Sequence, residues 1–178
     1  MRRLLLTLFL LGALIPLPAS ESSSLFNGRW ELLPERSSAL DGWTDMHLVF
    51  EVEGDRVNIT HDMRWRSTRV VETNSVIAGD TVEVPDFFRV EQRHMAVYPH
   101  RGAASTVSAD WLDDDRTLKV KANVPVEVSQ GLAMMRIECE YRLGVGDDTL
   151  TVIELHSTRN NPLVYRFRKL PAGDSSRP

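Results

Sequence analysis

The stretch Met46–Trp65 restricts the fold more than any other part of the chain. Met46, Leu48, Phe50 and Val52 alternate with His47, Val49, Glu51 and Glu53. After Gly54-Asp55 the alternation resumes, with Val57, Ile59, His61, Met63 and Trp65 set against Arg56, Asn58, Thr60, Asp62 and Arg64. Successive residues of a strand point to opposite faces, so a period of two predicts a hairpin with one buried and one wet face. Glycine at the reversal accepts the positive φ that a tight turn requires. His61 is the one polar residue on the inner face. On this reading His47 lies on the wet face.

The same pattern runs through the rest of the chain. Leu25–Leu33 predicts a first strand, stopped by Pro34, which has no N–H for a ladder. Glu35–Thr44 reads as a loop with at most one helical turn. Further strands are expected at Ser67–Ile77, Thr81–Pro85, Phe88–Tyr98, Ser105–Trp111, Arg116–Val124, Met134–Leu143, Thr149–His156 and Leu163–Leu170. Turns rich in Gly, Asp and Asn separate them, at 54–55, 78–80, 113–115, 144–148 and 160–162. Pro125–Gly131 reads as a loop or edge segment, and 171–178 as a polar tail. In Phe88–Tyr98 the more apolar face holds Gln92, His94 and Tyr98, which turns His94 inward. Short strands at this spacing predict an all-β, mostly antiparallel up-and-down barrel of about eight to ten strands. Closure also removes the exposed edges of a long meander. Two packed sheets would satisfy the same alternation.

Composition narrows the class. Arg2-Arg3, the apolar run Leu4–Ile15 and the helix breakers Pro16 and Pro18 read as an export signal over 1–20, too short to span a bilayer. The remainder, 21–178, is expected to form one domain with an ordered core over about 25–170, and to be periplasmic or extracellular. Without Arg2 and Arg3 the formal charge is −6 rather than −4, an acidic balance that argues against nucleic acid. No second apolar run is long enough to cross a membrane. Cys139 is the only cysteine, so the fold holds without an internal disulfide. Its parity with Ile137 and Tyr141 reads as burial.

Phe26-Asn27-Gly28-Arg29-Trp30-Glu31-Leu32-Leu33-Pro34-Glu35-Arg36-Ser37 resembles the entry segment of secreted bacterial lipocalin-like domains, a G-x-W-x-L-x-P-x-x-S pattern. In lipocalins and the wider calycin group, that Gly-x-Trp closes the base of the barrel and a late arginine packs over the Trp. The resemblance implies structural roles for Gly28 and Trp30, with Arg166 or Arg168 supplying the cation. It also implies binding of a small, partly apolar or amphipathic ligand inside the barrel. The chain lacks the disulfide, the Thr-Asp-Tyr motif and the C-terminal helix of typical lipocalins.

Parity nominates a lining for such a pocket: Phe50, Met63, Trp65, Tyr98 and Tyr141, with His61, His94 or Gln92 as polar anchors. The same residues would equally make a filled core, and a secreted or envelope interaction protein with a filled barrel is the alternative. A third reading is an enzyme or a haem or metal protein using inward histidines. Three strands could bring His61, His94 and His156 together, but no zinc-ligand spacing, no haem-attachment motif and no nucleophile elbow occurs. No motif calls for a cofactor, and no residue is nominated as catalytic.

Overall fold

The computed structural model describes residues 21–38, 43, 45–85, 98–100 and 102–173. The expected signal, 1–20, lies outside the described residues, as do Gln92 and His94 and most of the expected strand 88–98. A single helical turn, α1 (Glu21–Ser24), precedes β1 (Gly28–Leu32) and a 3-10 turn at Pro34–Arg36. The hairpin predicted from Met46–Trp65 is β2 (Asp45–Glu53) and β3 (Arg56–Trp65), followed by β4 (Thr68–Ile77) and β5 (Asp80–Val84). The two-residue β6 (Tyr98–Pro99) leads to β7 (Ser105–Leu112), β8 (Thr117–Val128), β9 (Gly131–Leu143), β10 (Thr149–His156) and β11 (Leu163–Lys169). No helix of the described residues is long and apolar enough to cross a membrane.

The strands form one antiparallel sheet in the order β4-β3-β2-β1-β11-β10-β9-β8-β7-β5, with β6 added to β8. The first and last strands are thus neighbours, with Trp30 opposite Lys169 and Leu32 opposite Phe167. The two ends of this order, β4 and β5, are consecutive in sequence yet share no ladder. They meet at the Ala78-Gly79 turn, where Ala78 N–H donates to Asp55 O and Gly79 N–H to Ala109 O. The result is an up-and-down barrel of ten strands with one open seam, between β4 and β5.

Burial follows the predicted parity around most of the wall. Leu48, Phe50, Val57, Ile59 and Met63 are enclosed, and so are Leu118, Val120, Met135, Cys139, Tyr141, Leu150, Val152, Tyr165 and Phe167 across the barrel. Period-two burial is the main favourable term for such a wall, roughly 1.5–3 kcal/mol for each large side chain taken out of water. Gly54 takes φ +60° at the β2–β3 turn, in the region where only glycine is unstrained. Asp113, Asp114 and Asp115 take φ 56°, 52° and 61°, and Thr117 Oγ1 donates to Asp113 Oδ2 at 2.8 Å. These acidic residues are turn formers, which is the reading their sequence supports.

The entry segment closes one end. Phe26 is fully buried, with its ring 5.5 Å from Phe50 and 5.2 Å from Trp111. Trp30 is also fully buried, and its Nε1–H donates to Phe26 O at 2.8 Å. Asn27 serves the adjacent edge, because Val52 N–H donates to Asn27 Oδ1 at 2.6 Å. Beyond β1, the serines of the motif continue the pairing that Pro34 interrupts. Arg166 N–H donates to Ser37 Oγ, and Val164 N–H donates to Ser38 Oγ, both at 3.0 Å.

The structure corrects several expectations. His47 is buried, not wet: it stands on the outer wall between Glu31 and Asp62, its register partners on β1 and β3. Parity assigns a face and says nothing of what covers that face. Of the two readings of 125–131, loop or edge segment, the loop is the one corrected, since Pro125 lies inside β8, which runs to Val128. Its carbonyl accepts from His100 N–H at 2.9 Å, and on that side β8 meets only the short β6, so little is asked of the missing N–H. Ser23 and Ser24 belong to a helical turn whose carbonyls accept from Phe26 and Asn27 N–H, so order begins ahead of the expected start near residue 25.

Candidate functional site

The barrel interior brings together four of the residues nominated as lining. Phe50, His61, Met63 and Tyr141 all face inward and are buried. Phe50 and Tyr141 meet edge to face, with centroids 5.3 Å apart, a geometry that aromatic quadrupoles favour. Trp65 ends β3 opposite Thr68, and Tyr98 pairs with Glu127 from β6; their side chains lie outside the described residues.

His61 stands opposite Leu48 on one side and Glu72 on the other. Glu72 follows from the same alternation carried across the β3–β4 turn, which puts Val70, Glu72, Asn74 and Val76 on the inner face of β4. Asn74 is buried and Glu72 half-buried. The strand-to-strand parity was legible, but it needed the register across Arg66-Ser67, and Arg66 holds φ 54° there.

A second polar group sits on the β9–β10 wall. Glu154 is opposite Cys139 and beside His156 on the inner face. Its Oε1 is 4.0 Å from Cys139 Sγ, and its Oε2 is 3.4 Å from His156 Nε2. Burial, with the Glu154 carboxylate adding to it, pushes the Cys139 thiol well above its ordinary range. Burial does the same to the Tyr141 phenol. Both therefore stay protonated, and a protonated, enclosed thiol is neither a nucleophile nor a metal ligand. The group can donate and accept hydrogen bonds to something held beside it. Among the described residues, no three His, Cys, Asp or Glu side chains converge as a metal-binding group.

The interior is not equally enclosed all round. Val70 on β4 and Val82 and Val84 on β5 face inward by register yet are half-buried, so solvent reaches the interior surface along the seam. A groove of about 220 Å³ lies there, bordered by the inward Val76, Val82 and Val84 and also by the outward Arg56, Ser75, Ile77 and Glu83. Another concavity, about 390 Å³, lies along β8, β9 and the end of β10, among Lys121, Asn123, Arg136, Glu138 and Leu155. The inward Ala122, Ile137 and His156 border it as well, so it reaches one of the buried polar groups.

The base plug differs from its expected form in one partner. Arg166 and Arg168 both point outward: Arg166 bonds Thr151, and Arg168 Nε donates to Glu31 at 2.7 Å. The cation over Trp30 is Lys169, with Nζ 5.0 Å from the ring centroid. The reason is parity, since Lys169 is the register partner of Trp30 and the arginines occupy the alternate positions.

No protein-family model matches the chain, and no curated protein matches it. Solved structures do match. Lipid binding protein 8 of Caenorhabditis elegans, in its apo form, superposes with a TM-score of 0.55 at 8% identity, over 85% of this chain and 99% of that one. The Schistosoma mansoni fatty acid binding protein in complex with arachidonic acid gives a TM-score of 0.53 at 11% identity, over 84% and 99%. Secretory abundant heat soluble protein 4 of Ramazzottius varieornatus gives 0.51 at 12%, over 86% and 100%. At such identities the likeness is one of architecture. The fold is the one these structures share, an up-and-down barrel of ten antiparallel strands with a single open seam.

Proposed function

We propose that the protein holds a small, partly apolar molecule inside the barrel and admits it along the β4–β5 seam. The observation that carries this reading is the half-exposure of Val70, Val82 and Val84. These side chains belong to the inner face, so their contact with solvent marks interior surface that a guest would cover. An apolar wall with a few polar groups is the usual make-up of such a site. Two of the structural neighbours are a lipid binding protein and a fatty acid binding protein, which agrees with the reading. Arg2-Arg3 and Leu4–Ile15 support export, and with it the secreted lipocalin-like character that Phe26–Ser37 suggests. The protein would then meet its guest in the periplasm or outside the cell.

A filled barrel is favoured by a different observation. Phe50, Ile59, Met63 and Tyr141 expose 2% or less of their surface, so no water-sized space adjoins them. The two observations concern different walls, and the guest would occupy the seam side.

Mass spectrometry of small molecules released by organic extraction of the purified protein tests the reading. A stoichiometric amphipathic compound supports it, and repeated recovery of none, from several expression hosts, contradicts it. N-terminal sequencing of the protein recovered from the medium or periplasm tests export. A start near residue 20–22 is expected, and retention of Met1 in the cytoplasm contradicts it.

A further inference from the structure

β9 outruns one of its two neighbours. It pairs with β8 without a break from Arg142 to Gly131, which stands opposite Val128. On the other side the β10 ladder stops at His156, opposite Ile137. Ser157 extends that side by one residue: its N–H donates to Arg136 O at 2.9 Å, and Arg136 N–H donates to Ser157 Oγ at 3.1 Å. The chain then turns, with Arg159 N–H donating to His156 O. Backbone groups of a strand point alternately to its two neighbours. Arg136 therefore sets the phase, and the N–H and C=O of Met134 and Leu132 point to the β10 side as well. Among the described residues no hydrogen bond reaches those four groups.

Open edges are ordinarily guarded by charge, proline or a bulge. This one has none of them. Val128–Met135 holds no charged residue and no proline, and its register with β8 is continuous. Leu132 and Met134 stand on the outer face, 68% and 59% exposed. The seam edge β4, by contrast, carries Arg69 and Glu72.

The unguarded segment is complementary to itself. In an antiparallel pairing about a twofold axis at Ala133, Leu132 faces Met134 of a second copy and Met134 faces its Leu132. Both positions direct their backbone groups to the edge, so four hydrogen bonds form and none of the open groups is left over in either copy. Ala133 meets its own copy at the close, non-hydrogen-bonded pair, where a small side chain fits. Gly131 faces Met135, and Arg136 faces the neutral Gln130, so no like charges meet. Sliding the pairing would set Met134 against the turn residue Gln130, or Leu132 against Arg136, whose backbone groups Ser157 already takes. Length, phase and side chains therefore select one register.

We infer that a second copy of this chain pairs with the Gly131–Met135 edge, giving a twofold dimer in which one sheet runs through both barrels. Such a contact is isologous, each copy offering the same patch. Leu132 and Met134 of the two copies cover one another as cross-strand pairs on the outer face. The contact is small, in the class that buries less than about 1,200 Å² in total, so the dimer is weak and forms with rising concentration. It uses neither β4 nor β5 and is independent of whether the interior holds a guest.

Sedimentation velocity of the purified protein, over a hundredfold range of concentration from micromolar upward, tests the inference beside two double variants. The parent is expected to show a monomer–dimer equilibrium. Leu132→Lys with Met134→Lys sets lysine against lysine and is expected to weaken the dimer at least tenfold. Leu132→Lys with Met134→Glu sets lysine against glutamate in this register alone, and should dimerise within threefold of the parent. Both positions are exposed, so the fold is spared, and circular dichroism checks it. Ala133→Cys gives a second readout. Paired Cα atoms at the axis lie about 4.5 Å apart, within reach of a disulfide. Mild oxidation should yield a covalent dimer of Ala133→Cys and none of Thr73→Cys on β4, the native Cys139 being buried. Should the charged variants fold poorly, this crosslink carries the test. A parent that stays monomeric throughout overturns the inference. So does a dimer untouched by the paired lysines, a lysine–glutamate variant as weak as the lysine–lysine one, or an Ala133→Cys protein that forms no disulfide. Slow hydrogen exchange at Leu132 and Met134 in the dilute monomer would show the edge covered by another part of the chain, which also overturns it.

Discussion

The Lys169 ammonium lies 5.0 Å from the centre of the Trp30 ring and donates to the carbonyl of Leu25, so the last strand locks the first at the closed end of the barrel. Burial pulls the Lys169 pKa below its ordinary value, and the Asp147 carboxylate opposes that pull. Trp30→Ala is expected to cost about 3–5 kcal/mol, the range for deleting a buried aromatic. Lys169→Ala should cost about 1–2 kcal/mol through the lost cation–π contact and hydrogen bond. Arg168→Ala, which removes only an exposed pair with Glu31, should fall within about 0.5 kcal/mol of the parent. Urea midpoints of the three variants check the order. Equal losses for Lys169→Ala and Arg168→Ala would show that the plug does not work this way.

Acid stability should depend on Asp62. Its carboxylate accepts from Arg69 Nε and from a terminal guanidinium nitrogen, each at 2.9 Å. That pair holds its pKa below the ordinary carboxylate value against the opposing effect of burial, with His47 and Arg29 adding attraction. A carboxyl whose pKa is lowered by folding contributes its stability above the unfolded value, about 3.9, and loses it as pH falls through the folded value. Asp62→Asn is therefore expected to lower stability at pH 7 by about 1–3 kcal/mol and to converge on the parent as pH falls through the folded value. Thermal midpoints between pH 2 and 7 measure this. A constant gap over the whole range would contradict the assignment.

Cys139 should be silent in the native state. It is buried and its thiol is held protonated, which denies a thiol reagent both access and the reactive thiolate. Labelling with an aromatic disulfide reagent at pH 8 is expected to give no more than background reaction over an hour and one equivalent in 6 M guanidinium chloride. Stoichiometric labelling of the folded protein would instead place Cys139 at an open surface.

Ser37 and Ser38 give the entry motif a further physical role. Each accepts from a backbone N–H of β11 where β1 has already ended. Replacing Ser37 by Ala leaves Arg166 N–H to water and removes the bond from Ser37 Oγ–H to Leu33 O, and about 1 kcal/mol of stability is expected to go with it. Hydrogen exchange at Arg166 should quicken in Ser37→Ala, with Val152 across β10 unchanged. Unaltered exchange at Arg166 would remove the serine from the account.

Most of the barrel was legible because a half-buried strand writes its faces at every second residue. The hairpin Met46–Trp65, the face Leu118–Val124 and the inward set Phe50, His61, Met63 and Tyr141 follow from that rule alone. What it could not supply was register between strands. The position of Lys169 over Trp30, in place of Arg166 or Arg168, is a matter of one residue in the β1–β11 pairing. The seam was equally hidden, since β4 and β5 are joined by a turn like any other and separate only because β5 pairs with β7. His47 shows a different gap: a polar residue on an outer face is buried by neighbours that no local pattern reveals. The acidic site at Glu154 also depends on register, because its contact with Cys139 joins residues 15 apart in sequence on adjacent strands.

The central claim is that the seam-side interior accepts a guest. Its most direct test is titration of the purified, delipidated protein with an apolar fluorescent probe, beside the variant Val82→Trp. Val82 faces inward from β5 and is half-buried at the seam, so an indole there would fill the space without removing any existing contact of the opposite wall. The expected result is saturable binding of one probe per chain in the parent and at least a tenfold loss of affinity in Val82→Trp, with the far-ultraviolet circular dichroism of the two proteins unchanged. Absence of saturable binding in the parent, or undiminished binding in Val82→Trp, would contradict the claim.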